Sequence, residues 1–258
     1  MNQSQAYPHH TCFTLRSTPH LTVFCDFDGP IIDVSDRYYN TYQLALADVQ
    51  TICETQGTAS PFCCLSKTHF WQMKQDRVPD LEIALRSGLR QEQMDYFLQR
   101  VSSIVNQPAL LHQDQLQPGV RWALELLHSQ GARLVLVTLR NQEQATQILQ
   151  NYGLANLFTL IRGTHDDTVA YGNAAEAKIQ LLAEVLREFP YWATEPAWMI
   201  GDTEADILAG QASNIPTIAL TCGIRSQTYL EKFLPTRIHC DLLSAAHYLI
   251  SQPLFASV

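Results

Sequence analysis

Thr22-Val23-Phe24-Cys25-Asp26-Phe27-Asp28-Gly29-Pro30-Ile31-Ile32-Asp33 is an apolar run that stops on two carboxylates. Val23 to Cys25 read as a short buried strand, because a brief apolar run bounded by turn formers fits a parallel sheet covered on both faces. Asp26 and Asp28 lie two apart, so in extended chain both side chains point one way and Phe27 the other. Gly29-Pro30 then turns the chain away. Two acidic groups at the carboxyl edge of a parallel strand sit where an open α/β sheet places its ligand site, and such a pair can hold a divalent cation. Taken alone, the stretch is equally compatible with a solvated Asp-x-Asp-Gly turn.

Strands of the same kind recur further along. Arg133-Leu134-Val135-Leu136-Val137-Thr138 is apolar and ends in a hydroxyl, with Leu139-Arg140-Asn141 after it. Leu157 to Ile161 reads as a third strand and Ile215 to Leu220 as a fifth. Between these, Ala197-Trp198-Met199-Ile200-Gly201-Asp202-Thr203-Glu204-Ala205-Asp206 is an apolar strand closing on Gly-Asp, with a second Asp at the interval that shares one face of a starting helix. Helices are expected between the strands: Val120 to Gln130 with Trp122, Leu126 and Leu127 apolar, Glu143 to Tyr152, a helix capped by Asn173 and running to about Phe189, and Leu242 to Ile250. Thr164-His165-Asp166-Asp167 reads as a polar loop.

From Val34 to Gln115 no parallel strand is evident. The pattern is of helices at Tyr39 to Gln56, Lys67 to Gln75, Leu81 to Leu85 and Gln91 to Val105, with connections near Gly57 to Pro61, Val78-Pro79-Asp80 and Gln107-Pro108. This is an inserted helical segment. Phe70, Trp71, Met73, Lys74 and Arg77 are compatible with a pocket wall, but each fits a packed or solvated helix face better, and Arg37 and Lys67 read as surface charges.

Together these stretches resemble the haloacid dehalogenase-like hydrolase superfamily, in the branch of phosphoglycolate phosphatases with a helical cap. The resemblance covers Thr22 to Asp33 and about Gln117 to Leu249. It implies a Rossmann-like three-layer core, with a mainly parallel sheet, formed by residues 1–33 and 116–258, and an α-helical cap domain over 34–115. It also implies residue roles: Asp26 as the nucleophile that accepts a phosphoryl group, Asp28 as general acid and base, Thr138 as a donor to a phosphoryl oxygen, and Lys178 as the lysine that stabilises the phosphorylated intermediate. Arg140 is a further candidate for substrate contact. Mg²⁺ would be held by Asp26, the backbone carbonyl of Asp28 and Asp202, with Asp206 as a ligand or an orienting group. Two departures from the family pattern stand out: Thr138 is followed by Leu139-Arg140-Asn141 where Thr-Asn is commoner, and Lys178 lacks a following proline.

The function expected is Mg²⁺-dependent hydrolysis of a small phosphomonoester through an aspartyl-phosphate. Asp28 sets the chain apart from dehalogenating and phosphonate-cleaving relatives. A sugar phosphomutase and a non-catalytic binding or regulatory module on the same fold are the alternatives, the latter opposed by the intact acidic and lysine positions.

Composition limits the partners. The chain has 258 residues, is 46% hydrophobic and carries a net charge of −8 with few lysines, so it offers no basic stripe for nucleic acid. Seven cysteines without a Cys-x-x-Cys pair suggest neither a disulfide framework nor a zinc site. No signal segment or membrane span is evident, so a cytoplasmic protein acting on a small phosphorylated metabolite is expected, with oligomeric state open. His9-His10 reads as part of a frayed leader.

Overall fold

The computed structural model describes residues 21–57, 62–165, 169–193 and 195–252; His9-His10, the 58–61 connection and Asp166-Asp167 lie outside them. Strand β1 (Thr22–Cys25) enters first, followed by the short β2 (Ile32–Asp33). Five helices come next: α1 (Ser35–Thr55), α2 (Lys67–Gln75), α3 (Asp80–Arg86), α4 (Gln91–Ile104) and α5 (Pro108–Leu111). The two-residue β3 (Gln115–Leu116) pairs antiparallel with β2, so the chain leaves and re-enters through one small ribbon.

The α/β alternation then runs α6 (Val120–Ser129), β4 (Arg133–Asn141), α7 (Gln142–Asn151), β5 (Phe158–Thr164), α8 (Val169–Gly172), α9 (Ala175–Glu188) and β6 (Ala197–Gly201). It closes with α10 (Glu204–Ala212), β7 (Thr217–Leu220), α11 (Gln227–Leu230), β8 (Arg237–His239) and α12 (Leu242–Ile250). The six long-range strands form one parallel sheet in the order β5-β4-β1-β6-β7-β8. The chain builds outward from β1 on one side, then crosses to the other. β1 and β6 therefore flank the switch point, the crevice where such a sheet binds ligands.

Strand alternation decides the layers. Val23, Cys25, Leu134 and Leu136 pack into one cluster with Ala123, Leu124 and Leu127 of α6, Leu149 of α7 and Ala245, Ala246 and Leu249 of α12. Phe24, Val135, Val137 and Met199 face the other way, onto Leu182 and Val185 of α9 and Ala209 of α10. Each of the larger side chains among these, Val, Leu, Phe or Met, contributes about 1.5–3 kcal/mol on full burial. The helical segment has its own centre at Tyr42, whose ring stacks on Phe70 (4.9 Å) and meets Phe97 edge-on. Its hydroxyl is satisfied by Ser87 Oγ at 2.7 Å and by the Leu65 N–H at 2.9 Å, as a buried phenol requires.

Several expectations need correction. Trp122 is 69% exposed, because the buried face of α6 is Val120, Ala123, Leu124 and Leu127. Asn173 does not cap α9; it is left-handed at φ 49°, and Ala174 holds the cap position. α1 begins at Ser35 rather than Tyr39, since the Asp33 carboxylate accepts the Ser35 N–H at 2.8 Å and starts the turn early. Arg37 is not a surface charge: it is 1% exposed, among acidic partners that lie far away in the sequence. Lys67 does lie at the surface, paired with Asp36. Strand β8 was not anticipated, because Arg-Ile-His is too short to show a period.

Candidate active site

β1 extends its ladder by one residue, the Asp26 N–H reaching Ile200 O at 2.9 Å, so Asp26 projects from the carboxyl edge of the central strand. The chain then turns at Gly29, whose φ of 97° suits glycine; a Cβ there would also collide with the Asp202 carboxylate. Gln117 pins this turn, donating to Gly29 O and to Cys222 O. β6 delivers Asp202 beside it, and α10 raises Asp206 in its first turn.

Asp26, Asp202 and Asp206 are all buried and each offers a carboxylate oxygen within 4.8 Å of the others. Lys178, on α9, is the cation among them: its Nζ lies 2.7 Å from Asp26 Oδ1 and 2.9 Å from Asp206 Oδ1, and donates to Val137 O at 2.9 Å. The ammonium thus stands between two carboxylates as the shared partner of both ion pairs. Burial, which would discharge Lys178, is outweighed by Asp206 and Asp26, which hold the ammonium above the usual lysine range. Burial pushes the Asp26 carboxyl up to about 7 against the pull of Lys178. Asp202 is driven well above the ordinary carboxylate range by burial, then by Asp206 and Asp26.

The residues fit a divalent cation. Three carboxylates and one ammonium leave two negative charges to be balanced, in a place where burying net charge is expensive. Asp202 Oδ2 accepts the Ile224 N–H at 2.5 Å, whereas its buried Oδ1 has no hydrogen-bond partner among the described residues. Asp206 is differently placed. One oxygen holds Lys178 and the other accepts both the N–H and the hydroxyl of Thr203, capping α10, so its geometry serves orientation. In the metal-free protein, folding raises the Asp26 pKa from 3.8 to about 7, so this group's contribution to stability is present below pH about 4 and is lost as pH rises to about 7. Mg²⁺ is expected to reverse that loss. At a hundredfold excess over its Kd it should add about 2.7 kcal/mol, raising the melting temperature more at pH 8 than at pH 5, with EDTA removing the difference. No Mg²⁺-dependent shift at pH 8 would count against a cation site here.

Asp28 stands on the other side of the crevice. Arg140, only 2% exposed, grips it edge-on, Nη2 2.7 Å from Oδ1 and Nε 3.2 Å from Oδ2, and places Nη2 2.7 Å from Asp114 Oδ2. Thr138, at the chamber wall, accepts the Arg140 N–H on its hydroxyl at 3.1 Å, which leaves the hydroxyl proton for donation. The structure thus brings Asp26, Lys178, Asp202 and Asp206 into one cluster, and sets Asp28, Thr138 and Arg140 around the adjoining chamber.

The chamber is closed by residues whose part the sequence left unassigned. Tyr38 of α1, Lys74 of α2, Arg77 just beyond that helix and Tyr171 of α8 line it together with Asp26 and Asp28, as do Asn173 and Arg225. Lys74 Nζ donates to Asp80 and to the Tyr171 hydroxyl. α2 is docked on the core through Glu204, which receives Arg77 at 3.1 Å and Arg225 at 2.9 Å, and through the Ser226 N–H on Gln75 O. Only about 30 Å³ remains inside, room for about two waters. The Gly223-Ile224-Arg225 run after β7 was the available signal for Arg225, but nothing in a lone arginine points to a contact with a distant helix.

Comparison with known proteins agrees with this geometry. The model of the haloacid dehalogenase-like hydrolase family matches residues 23–220, and the chain belongs to that family. It is 31% identical over 133 residues to the phosphoglycolate phosphatase of Psychrobacter arcticus, covering 52% of this chain and 55% of that one. It is 28% identical over 158 residues to the phosphoglycolate phosphatase of Aquifex aeolicus (61% and 69% covered), and 29% identical over 127 residues to the pyrophosphatase PpaX of Halalkalibacterium halodurans (48% and 56%). The chain spans about half the length of the first of these relatives. In fold it is similar to a haloacid dehalogenase-like family protein from Streptococcus pneumoniae, with a TM-score of 0.63 at 23% identity over 90% of this chain and all of that one. A subfamily IA hydrolase of the same superfamily from Geobacter sulfurreducens gives 0.58 at 20% identity, covering 90% and 97%. Among the described residues no helix is long and apolar enough to cross a membrane.

Proposed function

We propose that the chain hydrolyses small phosphomonoesters with the help of Mg²⁺, forming an aspartyl-phosphate on Asp26, and that residues 34–115 act as the cap that closes over the substrate. The observation that carries this reading is the position of Asp26: buried at the switch point, with Lys178 on one oxygen and, beside it, an Asp202 oxygen that no described residue hydrogen-bonds. Asp26, Asp202 and the Asp28 carbonyl would hold the ion. Mg²⁺ bound there supplies positive charge that offsets the repulsion between a carboxylate nucleophile and a phosphate dianion.

The chain's own residues do the rest. Lys178 orients Asp26 and neutralises charge as its oxygen forms the new bond to phosphorus. Thr138 donates its hydroxyl proton to a phosphoryl oxygen. Asp28 gives a proton to the departing ester oxygen as the old P–O bond breaks. It then takes a proton from water, whose oxygen attacks the phosphorus and releases Asp26. The sum is ester plus water to alcohol plus phosphate, with Asp28 returned to its starting state. Because the chamber leaves only about 30 Å³ free, the contacts of Gln75 with Ser226 and of Arg77 with Glu204 would open to admit an ester.

The test is phosphate release from a panel containing phosphoglycolate, sugar phosphates, nucleotides and pyrophosphate, with Mg²⁺ and with EDTA. Turnover that requires Mg²⁺ and is confined to a few small esters is expected. Absence of release across the panel would turn attention to phosphoryl transfer between sugar hydroxyls, and failing that to a binding module.

A further inference from the structure

Three buried charges, Arg37, Asp114 and Arg140, connect Asp28 to both ends of the helical segment. Arg37 lies in the first turn of α1, where the chain leaves the sheet, and Asp114 lies between α5 and β3, where it returns. Arg37 Nε reaches Asp114 Oδ1 at 2.8 Å and its Nη2 lies 3.5 Å from Asp28 Oδ2. Arg37 Nη1 is anchored on Val105 O at 3.0 Å and Asn106 Oδ1 at 2.7 Å, at the end of α4. Arg140 completes the square on Asp28 and Asp114. In the sequence Arg37 reads as a surface charge and Asp114 carries no pattern, and the chemistry described above uses neither.

We propose that Arg37 and Asp114 are positioning residues for Asp28, holding the Arg140 fork and hence the plane of the Asp28 carboxylate in register with the two crossings of the helical segment. The inference rests on the reading of Asp28 as the proton donor and acceptor. Two guanidiniums facing one carboxylate would compete for it. Asp114 shares both, offering one oxygen to each, so the network is neutral and Asp28 keeps an oxygen edge free of the second arginine's full pull. A planar two-point fork fixes the direction of a carboxylate as a single lysine contact does not. Asp114 accordingly matters for proton transfer although it lies outside the chamber lining. Because Arg37 travels with α1, displacement of the helical segment also disturbs the fork, so Asp28 is aimed only when that segment is docked.

The test uses the full chain and the change Asp114→Asn, which preserves shape and one acceptor oxygen. Rapid mixing with Mg²⁺ compares p-nitrophenyl phosphate, whose leaving group departs without a proton, with a simple alkyl phosphate, whose alkoxide needs one. Asp114→Asn should keep the first-turnover release of nitrophenolate within about threefold of wild type while alkyl ester cleavage falls by about 10²-fold, as expected for a misplaced proton donor. An equal first-turnover loss with both esters, or no loss with either, would overturn the proposal. Should Asp114→Asn fail to fold by circular dichroism, Arg37→Lys, which keeps the charge and loses the fork, is judged by the same ratio. Asp28→Asn separates the two readings: if it still cleaves the alkyl ester, the proton-transfer role itself fails. An inactive Asp28→Asn beside a wild-type-like Asp114→Asn sinks only the positioning role.

Discussion

Asp26→Asn is expected to lower phosphate release by about 10⁴-fold or more with every ester, while leaving the fold intact. The amide keeps the size of the side chain but cannot form the acyl phosphate. Lys178 retains Asp206 and Val137 O as partners, so the cluster does not lose its cation. Stability without metal should hold or rise, because the variant removes one of three carboxylates whose mutual repulsion, together with burial, pushes Asp26 to about 7 and Asp202 well above its ordinary range. The check is steady-state phosphate release beside thermal melting in EDTA. Retention of more than about a tenth of the activity would remove Asp26 as nucleophile.

Lys178→Met should produce the largest change in stability. The methionine is close in volume and packs well, but it leaves Asp26 and Asp206 buried and unpaired. Removing one partner from a buried ion pair costs about 3–5 kcal/mol, and here one ammonium serves two carboxylates. Turnover should fall by about 10³-fold in addition, since Asp26 loses both its orientation and the charge that offsets its attack on phosphate. The double variant Lys178→Met with Asp206→Asn should be more stable than Lys178→Met alone, because it relieves one of the two stranded charges. Melting of the single and double variants in EDTA measures this coupling. A double variant as unstable as the sum of its parts would show that Lys178 stabilises through packing and not through charge.

The motifs at the strand ends were legible because they are local. Asp26 follows β1, Thr138 lies near the end of β4 and Asp202 follows β6, so an apolar run stopping on a polar residue marks each one, and the parallel sheet aligns those ends without further instruction. The helical segment was also legible, since periodicity and breaker residues reveal helices within a few positions. Lys178 was found by its place in the order of motifs. Its contacts with Asp206 and Val137 O could not be, since those come from α10 and β4.

What escaped was everything decided by a long-range charge. Arg37, Asp114 and Arg140 lie far apart in the chain, and none carries a local pattern that separates a buried guanidinium from a solvated one. Lys74, Arg77 and Arg225 were equally opaque; their meeting with Asp80 and Glu204 depends on where α2 docks.

Sequence by itself determined the alternation of strand and helix and the identity of the acidic and lysine positions, because apolar patterning and strand termini are local properties of a chain. Only the tertiary structure decided which carboxylate oxygens are free, which arginines are buried and how α2 closes the chamber. Those depend on the distance between groups remote in sequence, and the energy of a charge depends on its partners and its burial, neither of which is carried by the residue alone.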